Sequence, residues 1–156
     1  KLEGKFKPRA NWTYRADQAL LNGAMAYALS DGWRELIRAE PPRECKSQVI
    51  NGEIASGDQV VDDPTNDFFA HVLKTWPKIN AVEMEGAGAV AAIEQANSLG
   101  ISTRFMMIRG ISDLPRAKGK NKGRKERDAW KAYASDTAAA FVMGWIADGL
   151  PRSPSA

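Results

Sequence analysis

The 156-residue chain is 44% hydrophobic and 26% charged, which is typical of a single globular domain large enough for a proper core. No apolar run reaches the length of a membrane span, and no secretory signal opens the chain. One cysteine excludes an internal disulfide and favours a reduced, cytoplasmic setting. One cysteine and one histidine also disfavour a metal site.

The net charge of +3 is unevenly distributed along the chain. The basic segment, residues 116–127, contains seven basic residues and one acid, so it carries +6 and the remainder carries −3. We expect this segment to be a solvated surface loop or, alternatively, a clamp for a substrate phosphate. The acidic remainder argues against a broad nucleic-acid-binding face.

Hydrophobic periodicity and turn residues predict alternating helices and strands. In chain order, the predicted elements are helix 16–29, strand 47–54, helix 62–76, strand 79–84, helix 85–97, strand 101–108 and helix 128–148. Residues 1–15 are expected to form an arm, and residues 151–156 a frayed tail. Because strands and helices alternate after residue 46, the pattern favours a single α/β domain over residues 1–156 with a substantially parallel sheet.

Two of these strands are predicted to end in carboxylates. The first ends at residues 82–86 (Val-Glu-Met-Glu-Gly), and the second at residues 109–113 (Arg-Gly-Ile-Ser-Asp), one helix later. Strand ends of this kind open onto the ligand crevice of an α/β sheet. Two carboxylates suit cleavage of a glycosidic bond, since one stabilises the sugar and the other protonates the leaving group.

Both motifs, together with residues 54–58 (Ile-Ala-Ser-Gly-Asp), resemble the signature of the nucleoside phosphorylase and nucleosidase superfamily. That superfamily includes the methylthioadenosine/adenosylhomocysteine nucleosidases. The resemblance implies a three-layer α/β sandwich around a twisted mixed central sheet. It covers about residues 49–150 and matches only the family's C-terminal part. We therefore expect a domain that lacks the family's first strands and its glycine-rich phosphate or nucleophile loop.

The resemblance also implies roles for the residues of the two carboxylate motifs. Asp113 would be the general acid at purine N7, and Ser112 would be among the substrate-binding residues. Glu85 would accept hydrogen bonds from both ribose hydroxyls, and Glu83 and Met84 would line the sugar pocket. Residue chemistry alone leaves other interpretations open: Asp113 as a turn former, and Glu83 and Glu85 as caps of the next helix. For Glu83, capping is the preferred interpretation.

By the same resemblance, the segment from Ser56 to Val61 would hold the base. The nucleosidase branch usually has an aromatic residue at the position of Val60, so the valine removes a stacking platform and weakens the case for adenine. Backbone groups near Val61 would still read the base edge, because a main-chain N–H and C=O do not depend on residue type.

These observations predict cleavage of the N-glycosidic bond of a purine nucleoside or nucleotide, with release of the free base. The alternatives are a phosphate-dependent purine nucleoside phosphorylase and a non-catalytic nucleoside- or nucleotide-binding module. No cofactor is expected, apart from phosphate as co-substrate of a phosphorylase. The expected partners are the small-molecule substrate and further copies of the chain, with no membrane and no nucleic acid.

Overall fold

The computed structural model describes residues 13–57, 72–113 and 122–151. Its elements are α1 (Gln18–Tyr27), a 3₁₀ helix (Gly32–Leu36), β1 (Glu53–Ser56), α2 (Leu73–Thr75), β2 (Ile79–Glu83), α3 (Gly86–Ser98) and α4 (Lys122–Asp148). β1 and β2 pair in parallel, with Ser56 opposite Glu83. The described chain is therefore an α/β fold with a small parallel sheet, as the alternating pattern predicted. No helix within these ranges is long and apolar enough to cross a membrane.

Helix α1 begins where its sequence provides a cap. The Asp17 carboxylate accepts a hydrogen bond from the Leu20 amide at 2.9 Å, which satisfies one of the free N–H groups of the first turn. The Arg104 side chain lies 3.9 Å from the same carboxylate and donates to the Pro151 carbonyl at 2.8 Å. Arg104 thus joins the start of α1 to the segment that follows α4.

The hydrophobic core lies between α1, the 3₁₀ helix and α4, and is largely aromatic. Trp33 is only 1% exposed, and its ring meets Phe141 edge to face, with centroids 5.3 Å apart. Ala24 and Trp145 complete the buried cluster. The 3₁₀ helix that carries Trp33 was missed by periodicity, because one short turn does not repeat an apolar spacing.

The predicted strand at residues 47–54 is wrong in its first part, because β1 begins at Glu53. The Ser47 carbonyl accepts a hydrogen bond from the Arg34 guanidinium at 2.9 Å, and its hydroxyl pairs with that of Tyr133 at 2.8 Å. These contacts hold the segment against the 3₁₀ helix and α4 instead of against another strand.

The predicted strand at residues 101–108 is also wrong, since these residues join no ladder. Both backbone groups of Thr103 bond to the Asn97 side chain on α3, at 2.7 and 3.1 Å. The Phe105 carbonyl accepts the Asp17 amide at 2.7 Å. This apolar segment is packed between helices. The Asn97 side chain and the Asp17 amide bond to its backbone groups, which would otherwise pair with a neighbouring strand.

Helix α4 begins at Lys122, earlier than the predicted start at residue 128. The last part of the basic segment is therefore helical and not a loop, consistent with the good helix propensity of Lys, Arg and Glu. Residues 116–121 lie outside the described chain, as do most of the predicted arm, the predicted tail after Pro151 and most of helix 62–76. Strand 79–84 and helix 85–97 are confirmed as β2 and α3.

Candidate active site

The carboxyl ends of β1 and β2 meet the amino end of α3, and this junction forms the candidate site. The ladder places Ser56 beside Glu83, and the Gly57 amide continues it by donating to the Glu83 carbonyl at 3.0 Å. The chain leaves β2 through Met84 and Glu85 and enters α3 at Gly86. The first carboxylate motif therefore lies where parallel sheets usually bind their ligands.

Glu83 is buried and caps α3. The residue is 3% exposed, and its Oε2 accepts hydrogen bonds from the Glu85 and Gly86 amides, both at 2.7 Å. A carboxylate at this position also interacts favourably with the positive end of the helix dipole. The hydrogen bonds of Oε2 therefore agree with the capping interpretation of Glu83.

The surroundings of Glu83 keep it ionised. Burial alone would raise its pKa, but the nearby Ser56 hydroxyl, the hydrogen bonds from the Glu85 and Gly86 amides and the Arg109 charge together hold the pKa below its usual value. The site is thus built around a buried anion at neutral pH.

Arg109 links the two glutamates. Its Nη1 lies 3.4 Å from Glu85 Oε2 and 3.9 Å from Glu83 Oε2, so one guanidinium neutralises part of the charge of both. The sequence interpretation gave Arg109 no role, although it opens the second carboxylate motif. The sequence did contain a signal for this role. Arg109 is a basic residue at the start of the second carboxylate motif, one helix after the acidic first motif.

An open cleft of about 210 Å³ lies at this junction. Pockets for whole drug-sized ligands measure about 300–1,000 Å³, so this space suits a smaller group such as a sugar ring. The Glu85 side chain is 78% exposed and is free to meet a ligand. Met84 is exposed beside it. The cleft is lined by Glu83, Glu85, Gly86, Ala89, Met107, Ile108 and Arg109.

The second carboxylate lies further along the chain. The Ser112 hydroxyl donates a hydrogen bond to Asp113 Oδ1 at 2.7 Å, and both residues are half-buried. Neither belongs to the cleft lining in the described chain. At Gly110, a Cβ would overlap the Ala134 carbonyl, so the α4 backbone packs directly on the segment leading to Asp113. The structure thus groups Glu83, Glu85 and Arg109, with Asp113 outside their hydrogen-bond network.

The predicted base-binding residues Val60 and Val61 lie outside the described residues, as does Asp58 of the third motif. Only Ser56 and Gly57, at the start of that segment, are described. Ser56 takes part in the site through its hydroxyl, which accepts the Ala87 amide at 3.0 Å.

Comparisons with known proteins agree with this geometry. Three similar proteins bear the name 5'-methylthioadenosine/S-adenosylhomocysteine nucleosidase. Identity is 40% over 67 residues for Bacillus pumilus, 38% over 71 for Desulfotalea psychrophila and 32% over 107 for Bacillus licheniformis. The alignments cover 43%, 46% and 69% of this chain, respectively. The chain spans only 26%, 27% and 38% of the length of these relatives.

No solved structure matches the chain. The sequence model of the phosphorylase superfamily, in contrast, matches residues 7–147. This range contains all three motifs and every residue of the candidate site, and it confirms the resemblance drawn from the motifs. The chain therefore belongs to the phosphorylase superfamily.

Proposed function

We propose that this chain acts in cleavage of the N-glycosidic bond of purine nucleosides or nucleotides, with release of the free base. The carrying observation is the exposed Glu85 carboxylate, which stands at the mouth of a sugar-sized cleft beside Arg109. The names of the three relatives support the same reaction class. Hydrolysis is the proposed reaction, and phosphorolysis with phosphate as co-substrate is the alternative.

Glu85 would bind the ribose. A single carboxylate can accept a hydrogen bond from each of two vicinal hydroxyls. These bonds strengthen as the sugar ring becomes cationic in the oxocarbenium-like transition state, so they assist catalysis as well as binding. Met84, exposed next to Glu85, would cover the apolar face of the sugar.

Asp113 would protonate the leaving purine at N7. A purine is a poor leaving group as an anion and a good one once N7 carries a proton. The bond from the Ser112 hydroxyl to Oδ1 would fix the rotation of the carboxyl group and leave Oδ2 for the base. Proton transfer by a positioned side chain contributes about 10²- to 10⁴-fold.

Other parts of the proposal rest on family membership. The chain would contribute to a three-layer sandwich around a twisted mixed sheet, and residues near Val60 and Val61 would hold the base. The enzyme would be a cytoplasmic homo-oligomer without a cofactor. The basic segment would clamp a phosphate if the substrate is a nucleotide.

The test is free-base release, followed by chromatography, from adenosine, methylthioadenosine, adenosylhomocysteine, inosine, AMP and ATP, with and without phosphate. We expect release from at least one substrate without phosphate, and a loss of about 10²- to 10⁴-fold in Asp113→Asn. Strict dependence on phosphate would replace hydrolysis by phosphorolysis. Absence of release from all six would contradict catalysis by this chain.

A binding module is the second candidate, favoured by the position of Asp113 outside the cleft lining of the described residues. Such a module would retain adenosine affinity without turnover. Asp113→Asn separates the two functions, because an enzyme loses orders of magnitude in rate while a binding module loses only some affinity. Equilibrium binding of adenosine to the wild-type chain and to the variant supplies the second measurement.

A further inference from the structure

Helix α3 has no cap of its own. The four leading N–H groups of a helix lack partners within it, and a side chain at the N-cap position usually satisfies one of them. At this position Glu85 makes no capping hydrogen bond. The partners come instead from the two strands: Glu83 on β2 accepts the Glu85 and Gly86 amides, and Ser56 on β1 accepts the Ala87 amide.

Ser56 has the chemistry for a second contact at the same time. A hydroxyl has one donor and two acceptor lone pairs. The oxygen accepts from Ala87 at 3.0 Å, and the hydroxyl also lies close enough to the buried Glu83 to favour its ionised form. One side chain thus caps the first turn of α3 and lies on the strand position opposite the carboxylate that caps it from β2.

Ser56 also marks the point where the chain leaves the sheet. It is the last residue of β1, directly opposite Glu83, and it leads through Gly57 into the segment proposed to hold the base. Glu85, proposed to hold the ribose, lies on the other side of the contact. The end of β1 and the turn that carries Glu85 are therefore joined through one hydroxyl.

From this geometry we propose that Ser56 is a positioning residue, whose hydroxyl fixes the turn carrying Glu85 relative to the end of β1. The proposal deepens the function proposed above and rests on it for the identity of the ligand. Without the hydroxyl, the Ala87 amide loses its cap. The turn then becomes mobile, and Glu85 no longer meets the two ribose hydroxyls in a fixed geometry.

Amide hydrogen exchange measured by NMR on the full chain tests the positioning directly. In Ser56→Ala we expect about three- to tenfold faster exchange at Ala87, as for loss of one hydrogen bond. If the turn is held through Ser56, exchange also rises at the Glu85 and Gly86 amides, which Ser56 does not touch. Ser56→Thr, which keeps the hydroxyl, restores protection at all three.

The matched control is Ser98→Ala, the same substitution at the other end of α3, where the hydroxyl donates to the Gln95 carbonyl. It should leave the three amides unchanged. A response of Ala87 alone in Ser56→Ala would make Ser56 a simple cap and overturn the proposal, as would no response at all. Circular dichroism identifies a variant that fails to fold, and Ser56→Thr then carries the comparison with Ser98→Ala.

The ligand readout is the ratio of kcat/KM for adenosine to that for 2′-deoxyadenosine, which isolates the contact of Glu85 with the 2′-hydroxyl. We expect Ser56→Ala to lower this ratio about three- to tenfold, whereas a general loss of stability would leave it unchanged. If the wild-type chain releases no base, the proposed function fails. The amide experiment still decides the role of Ser56, because it needs no turnover.

Discussion

At the residue scale, Glu83 and Glu85 make different contacts because the first is buried and the second is exposed. Glu83 is enclosed and its Oε2 is occupied by backbone amides, whereas the Glu85 carboxylate projects into solvent and, among the described residues, meets Arg109 and the Met84 amide. Strand alternation alone would put both on one face, and the preference for capping at Glu83 rests on the charge of the following helix start. Burial and hydrogen bonding assign capping to Glu83 and leave the Glu85 carboxylate exposed for the proposed contact with ribose.

The proposed role of Glu85 predicts a specific loss on substitution. Glu85→Gln keeps the size of the side chain but removes the charge that accepts from two hydroxyls. We expect kcat/KM for adenosine to fall about 10- to 150-fold, as for hydrogen bonds to a charged group. The fall for 2′-deoxyadenosine should be smaller. Glu94→Gln, at an exposed position on α3, is the control, and an equal loss in both variants would contradict the role of Glu85.

The ionisation of Glu83 predicts a pH dependence of stability. Its pKa is lower in the folded chain than the ordinary value of 4.5, so it stabilises the fold above pH 4.5, and this contribution is lost as the pH falls through the folded pKa. We expect Glu83→Gln to be less stable than wild type at pH 7 and to lose less stability on acidification. Urea unfolding at pH 7 and at pH 3 measures both, and parallel losses in the two proteins would exclude this contribution.

At the element scale, Gly86 packs closely against two side chains at the start of α3. A Cβ at Gly86 would overlap Met107 Cε and lie 2.7 Å from Glu83 Oε1, whereas a Cβ at Gly88, two residues later, meets nothing within 4 Å. Helix propensity favours alanine over glycine at both positions. At Gly86, packing against Glu83 and Met107 is therefore expected to outweigh the helix propensity of alanine.

The two glycines give a matched pair of substitutions. We expect Gly86→Ala to destabilise the chain by about 1–3 kcal/mol, as overpacking does. Gly88→Ala should stabilise it by about 0.5–1 kcal/mol. Urea unfolding of the two variants and the wild type gives both values. If both substitutions stabilise the chain, the close packing of α3 on Glu83 and Met107 is wrong.

At the scale of the whole molecule, one side of the C-terminal half of α4 is apolar and exposed. Met143 and Ile146 lie three residues apart on α4, opposite the face that buries Phe141 and Trp145, and Leu150 is exposed just after the helix ends. A helix with two apolar faces tends to be covered on both. The exposed face is therefore consistent with the self-association proposed for this chain.

Light scattering tests this expectation. We expect a mass above the 17.1 kDa of one chain, and Ile146→Lys should shift the population toward the monomer because a charge would lie in the apolar contact. Ser98→Lys, which adds the same charge at an exposed site on α3, should not. A monomeric wild type over the whole concentration range would contradict self-association.

Several elements followed from local sequence signals. Gly100 adopts a positive φ of 85° just after α3, and β2 ends at the first carboxylate motif, both as composition and spacing indicated. The motifs also led to the correct superfamily. Residues 101–108 have a strand-like composition, but a strand exists only if a neighbour pairs with it, and here Asn97 and Asp17 bond to that backbone instead.

The sequence by itself determined the chemistry available at the sheet edge, because residue types and their spacing set which carboxylates, hydroxyls and amides come together at strand ends. Only the tertiary structure decided which of these groups are buried and which contact one another. Burial made Glu83 an internal anion, and the β1–β2 register brought Ser56 onto the Ala87 amide from 31 positions away. Packing also placed Arg109 between the two glutamates. Such contacts depend on residues distant in the chain, so no local pattern carries them.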